Sequence, residues 1–181
     1  MKLSRNVLRR LGLYGGAAVV LAVVLGLPPL LRHRTARFGV RSVDIEGLQT
    51  REETNLLREY VRIDSSNPPG RTVETARFWA ERLGCEGIPF EVVGSDPERP
   101  IVVARLSGRK RGEALLLLHH LDVVPAANAA EWEYPPFEAR WGEGNFRHYL
   151  YGRGTLDMKG QGVADFFAIA SLRRDGIVPE R

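Results

Sequence analysis

The residues best suited to chemistry stand at the end of an apolar run, where Ala114–Leu118 gives way to His119-His120-Leu121-Asp122. In an extended segment alternate side chains share a face, so His120 and Asp122 point the same way. An imidazole that ligates a metal through one nitrogen typically donates its other N–H to a carboxylate, which fixes the tautomer and raises basicity. His120-x-Asp122 supplies that pair; a strand-end histidine beside a turn aspartate would read the same. Asp157 lies 35 residues beyond Asp122, within Tyr151-Gly152-Arg153-Gly154-Thr155-Leu156-Asp157-Met158-Lys159-Gly160. Asp157 is placed to cap the helix that follows, or to offer an oxygen to a cation held by His120. The glycines do not follow G-x-G-x-x-G, and neither a Walker loop nor a G-x-S-x-G elbow occurs. With Cys85 the single cysteine, any metal site must be built from His and carboxylate.

The elements that must position these residues are legible as patterns. Thr50-Arg51-Glu52-Glu53 reads as a capping box before an apolar stripe of Leu56, Leu57, Tyr60 and Val61, which predicts a helix over about 51–62. Ser65-Ser66-Asn67-Pro68-Pro69-Gly70 is turn chemistry. Ala76, Trp79, Ala80 and Leu83 fall at helical spacing with Gly84 as the expected stop. Phe90–Val93 and Ile101–Leu106 read as strands, and Ala114–Leu118 as a strand buried on both faces. Val163, Phe166, Phe167 and Ala170 predict a helix ended by Gly176. The mixed order implies one α/β domain of three layers with the sheet in the middle. Ligands in open α/β sheets bind beyond the carboxyl ends of strands, where His120 stands. Seven aromatics from Trp132 to Tyr151 suit a packed loop and hairpin, or a wall near a substrate. Arg109-Lys110-Arg111 reads as a solvated turn.

Charge separates the chain into two parts. Eight of the 26 basic residues and none of the 22 acids lie in residues 1–41, so the remainder carries an excess of acid despite a formal net charge of +4. The basic excess flanks Leu11–Leu31, 21 residues without a charged side chain, which as a helix would span roughly 31 Å. That length suits an uncleaved, single-pass signal anchor; no A-x-A-like cleavage site follows Leu31. Lys and Arg at both flanks leave orientation open. Basic residues gathered beside an apolar span do not make a nucleic-acid face. At 44% hydrophobic and 27% charged, the body reads as globular. The expected layout is a basic tail over 1–10, an anchor over 11–31, a linker over 32–49 and a domain over 50–181.

Four segments in order resemble the M20 family of zinc metallopeptidases and aminoacylases. They are Ser65–Gly70, His120-Leu121-Asp122-Val123-Val124-Pro125, Trp132-Glu133-Tyr134-Pro135-Pro136-Phe137, and Tyr151–Gly160. The anchor and the Trp-x-x-Pro-Pro-Phe stretch are similar to the carboxypeptidase S branch. The resemblance covers about residues 50–181 and implies that His120 binds one zinc, Asp122 orients His120 as a catalytic residue, and Asp157 bridges two zinc ions. Cobalt or manganese suits the same donors. It implies a peptide or N-acyl amino acid substrate, attacked by metal-activated water, in a catalytic domain outside the cytoplasm. His119 would be a pocket or packing residue. The general base the resemblance implies, a Glu of a Glu-Glu pair on the next strand, does not occur in 1–181, nor do the later acid and His ligands. The expectation is a truncated domain, hydrolytically inactive alone. An anchored binding module without catalysis is the alternative.

Overall fold

The computed structural model describes residues 46–180, which fall in the second of two compact units, Asp44–Arg181. The 11–31 anchor, the basic tail and most of the linker lie outside the described residues. Among the described residues no helix is long and apolar enough to cross a membrane.

Three helices carry the core. Helix α1 (Glu52–Val61) follows a 3-10 turn over Glu46–Thr50, α2 is Val73–Cys85, and α3 is Gly160–Arg174. Their apolar stripes meet in one cluster of Leu56, Tyr60, Trp79, Leu83, Ile88, Val163, Phe166 and Ala170. Each large side chain so buried stabilises by about 1.5–3 kcal/mol. Tyr60 stacks on Phe78 at 5.2 Å and meets Trp79 edge-on at 5.0 Å, an arrangement that aromatic quadrupoles favour.

Helix ends depart from the sequence expectation in two places. The capping box does not form. Arg51 is the N-cap without a side-chain bond, and the Thr50 hydroxyl donates to Gly47 O, because the preceding 3-10 turn places Thr50 inside its own last turn. Gly84 does not stop α2; Gly87, at φ +62°, does. There Ile88 N donates to Leu83 O and Gly87 N to Gly84 O, the paired bonds of a Schellman cap. Gly176 ends α3 in the same way, with Ile177 N bonded to Leu172 O and Gly176 N to Arg173 O.

Strands β1 (Phe90–Val93) and β2 (Ile101–Ala104) pair antiparallel, Phe90 opposite Ala104. Strands β3 (Arg140–Trp141) and β4 (Leu150–Tyr151) form a second, short antiparallel pair, the hairpin expected in the aromatic stretch. The predicted doubly buried strand is a correction. Residues 114–118 form no ladder and are open to solvent, Leu115 at 87% and Leu118 at 74%. A central strand exists only where neighbours on both sides supply donors and acceptors, and among the described residues no strand pairs with this run. The α/β character stands, while the three-layer sandwich is not assembled among residues 46–180. What the run does deliver is His119–Val123, held by a parallel bridge between Val123 and Ser66.

Candidate metal centre

Two segments distant in sequence bring the site together. The His120 end of the apolar run is fixed by Val123 N donating to Ser65 O at 3.1 Å and Asn67 N donating to Val123 O at 2.8 Å. The Ser65 hydroxyl adds a bond to Leu121 O at 2.8 Å. Asp157 arrives on the loop after β4, through Gly154 at φ +80°, and a Cβ on Gly154 would lie 2.5 Å from Val123 Cγ1. Only glycine suits both the left-handed backbone and that close approach.

In this arrangement His120 Nε2 stands 3.1 Å from Asp157 Oδ1. Its Nδ1 faces two acceptors, Asp122 O at 2.8 Å and Asp122 Oδ1 at 3.2 Å. The main-chain carbonyl, which spacing arguments could not anticipate, therefore shares with the carboxylate the task of holding Nδ1–H. Burial disfavours a charged His120, but the hydrogen bonds it donates to Asp157 and to the Asp122 carbonyl, with the negative charges of both carboxylates, outweigh it, and its pKa is raised above the ordinary histidine value.

With Nδ1 as the donor nitrogen, Nε2 presents a lone pair toward a carboxylate that also has only lone pairs. A proton or a cation must sit between them. Zinc bonds of about 2.0–2.1 Å at a tetrahedral angle separate two donors by about 3.3 Å. The observed 3.1 Å fits that bite, and neutral imidazole with carboxylate is a donor set zinc accepts. Among the described residues no cluster of three His, Cys, Asp or Glu is assembled; the pair brings two such donors together.

Asp157 is a second correction to one of the two alternatives. It is not the N-cap of α3. That position belongs to Lys159, Asp157 has φ −120° and ψ 96°, and its side chain is largely exposed toward His120. His119 packs, as expected: its ring meets Trp79 edge-on at 5.4 Å, and burial lowers its pKa. Gly162 makes room for it, since a Cβ there would lie 2.6 Å from the imidazole.

Two supporting residues carried no spacing signal because their partners are remote. Lys159 is 1% exposed; its ammonium donates to Tyr60 O at 2.9 Å and Ile63 O at 2.6 Å, and burial pushes its pKa down to about 8. It adds a donor at the carbonyls of Tyr60 and Ile63, at and just past the end of α1, and ties that helix to the Asp157 loop. Asn67 Nδ2 donates to Asp122 Oδ2 at 2.7 Å. Only their presence inside quoted motifs pointed to either. The aromatic stretch packs against the same loop. The Arg153 guanidinium lies over Trp132 at 5.0 Å, Arg153 N donates to Pro136 O at 2.7 Å, and Tyr134 meets Tyr151 edge-on at 5.0 Å.

Known proteins resemble this chain in sequence and in fold. Residues 116–181 match the model of peptidase family M20/M25/M40. The chain is 36% identical over 123 residues to an N-formyl-4-amino-5-aminomethyl-2-methylpyrimidine deformylase of Halalkalibacterium halodurans, covering 65% of this chain and 27% of that protein. It is 29% identical over 131 residues to a probable succinyl-diaminopimelate desuccinylase of Staphylococcus aureus, covering 72% and 30%. Aminoacylase-1 of Dictyostelium discoideum is 32% identical over 117 residues, covering 64% and 27%. Among solved structures, an M20-family metallo-carboxypeptidase from Sulfolobus solfataricus superposes with a TM-score of 0.58 at 28% identity, over 70% of this chain and 28% of that one. The chain thus spans between a quarter and a third of the length of these relatives. Its ordered motifs, the match over residues 116–181 and the shared fold make this chain similar to peptidase family M20/M25/M40 over part of the family's length.

Proposed function

We propose that this chain supplies one side of a zinc centre that hydrolyses amide bonds in peptides or N-acyl amino acids. The observation that carries the proposal is the meeting of His120 Nε2 and Asp157 Oδ1 at 3.1 Å, with Nδ1 secured behind. A divalent cation pair, when bound, lowers the pKa of a shared water and polarises the carbonyl to be attacked. Asp122 keeps the His120 lone pair aimed outward, and Asp157, on its glycine-turned loop, offers two oxygens suited to bridging. The aromatic stretch beside the loop provides an apolar wall suited to acyl or side-chain groups. The general base that takes the proton of water belongs, by the family resemblance, to a Glu outside residues 1–181.

Zinc competition titration of the chain tests this. His120→Ala and Asp157→Asn are each expected to abolish binding at the site, and residues 42–181 alone are expected to show no turnover of N-formyl, N-succinyl or N-acetyl amino acids or of dipeptides. Zinc binding indifferent to both substitutions refutes the proposal. A second reading, an anchored binding module without catalysis, is favoured by the absence of a three-ligand cluster among the described residues. Amide hydrolysis by protein expressed from the whole reading frame separates the two.

We also propose Leu11–Leu31 as a single-pass anchor that holds the catalytic part outside the cytoplasm. Its length and uncharged composition support this. Alkaline extraction of membranes should leave the chain in the pellet; release to the supernatant, or a mature N-terminus beyond residue 31, refutes it.

A further inference from the structure

We infer that Asn67 is a positioning residue for the metal centre, acting through Asp122 on His120; the inference rests on the zinc reading of the site. A carboxylate held at one oxygen retains a broad terminal torsion. Asp122 is held at both: Oδ1 faces His120 Nδ1 at 3.2 Å, and Oδ2 accepts from Asn67 Nδ2 at 2.7 Å. Because an ionised carboxylate only accepts, the amide nitrogen of Asn67, not its oxygen, must face it. The bond sets the plane of the carboxylate and keeps Oδ1 on the imidazole.

Asn67 is itself located with care. Its main-chain N–H donates to Val123 O, which brings its backbone alongside the residue that follows Asp122. Gly70 N closes the turn on Ser66 O at 2.8 Å. At φ +73°, Gly70 lies where glycine is favoured, and a Cβ there would stand 2.8 Å from Asn67 Cγ and 2.9 Å from its Oδ1. The turn therefore leaves space for the Asn67 amide and no more. Three links run outward from the cation position: Asp157 and His120 as donors, Asp122 behind His120, Asn67 behind Asp122. Partners of this outer kind typically change metal affinity by about 10–100-fold when altered.

The test uses the full chain with Asn67→Asp and Asn67→Ala. Asn67→Asp keeps the size of the side chain, hence its fit against Gly70, while replacing the donor by a second carboxylate facing Asp122. Both variants are expected to fold as wild type by circular dichroism and to lose about 10–100-fold in zinc affinity by chelator competition, with an altered visible spectrum of the Co2+ form. In the metal-free protein the His120 ring 15N resonances are expected to shift in both. Zinc affinity within threefold of wild type in Asn67→Asp, while His120→Ala loses binding, overturns the inference. A wild-type chain that binds no zinc refutes the zinc reading instead. The metal-free spectrum then decides Asn67 by itself, and unmoved His120 resonances in both variants overturn its role.

Discussion

Gly154→Ala carries two separable penalties. At φ +80° an alanine sits in the left-handed region, at a cost of about 1–2 kcal/mol. Its Cβ would also lie 2.5 Å from Val123 Cγ1, and Val123 is 2% exposed, so the core must shift to admit it. Overpacking of that kind costs about 1–3 kcal/mol. The single substitution should therefore lower the unfolding free energy by about 2–5 kcal/mol, a large share of the roughly 5–15 kcal/mol typical of a domain. Val123→Ala removes the obstructing methyl and by itself costs about 2 kcal/mol in lost burial. In the double variant the clash is gone while the backbone strain remains. Its cost should fall about 1–3 kcal/mol short of the sum of the singles, well beyond the roughly 0.5 kcal/mol scatter of independent sites. Urea unfolding of the four proteins under one set of conditions, followed by circular dichroism, measures the cycle. Strict additivity, or a Gly154→Ala cost below about 1 kcal/mol, refutes the claim that glycine is required here by close approach as well as by backbone conformation.

Gly162→Ala gains up to about 1 kcal/mol of helix propensity but drives a methyl into the His119 ring; we expect net destabilisation by thermal melt, reversed in sign in a His119→Ala background. Burial raises the Tyr60 pKa from 10.0 to about 12, while Trp79 Nε1–H nearby opposes the rise without reaching hydrogen-bond geometry. The unfolded chain ionises first, so stability present below pH 10 should be lost by about 3 kcal/mol as pH rises toward 12. Tyr60→Phe, which removes a hydroxyl with no hydrogen-bond partner, should flatten that loss in alkaline unfolding titrations. Arg174 bonds to both Glu52 and Glu86 and holds their carboxyls below the usual range. That contribution is present above pH 4.5 and lost as pH falls through the lowered values, so wild type and Arg174→Gln should converge in acid and part near neutrality. Parallel acid profiles count against the bridge.

Much of the local structure was legible because it depends on neighbours in sequence. The stripes Leu56-Tyr60 and Trp79-Leu83 produced α1 and α2, and Phe90–Val93 with Ile101–Ala104 produced the β1–β2 pair. Errors arose where two local signals compete. Thr50 and Glu53 have the right identities for a capping box, yet the 3-10 turn ahead of them uses Thr50 otherwise. Gly84 and Gly87 are equally good stops by type; the helix runs on until Ile88 can reach the core and close the cap.

The amino-acid sequence by itself determined which donors are available: with one cysteine and few histidines, His120, Asp122 and Asp157 stood out by type, spacing and motif. It also determined that basic charge belongs beside the apolar 11–31 segment and not on the body. Tertiary structure decided which groups meet. His120 and Asp157 are 37 residues apart, Asn67 and Asp122 are 55 apart, and Lys159 reaches a carbonyl 99 residues away. It also decided that Leu115–Leu118, apolar enough for a central strand, stands in solvent. The reason is common to both outcomes. Hydrophobicity and propensity are properties of a segment, whereas a hydrogen-bonded ladder or a histidine–carboxylate pair is a property of the partners that another part of the chain brings into reach.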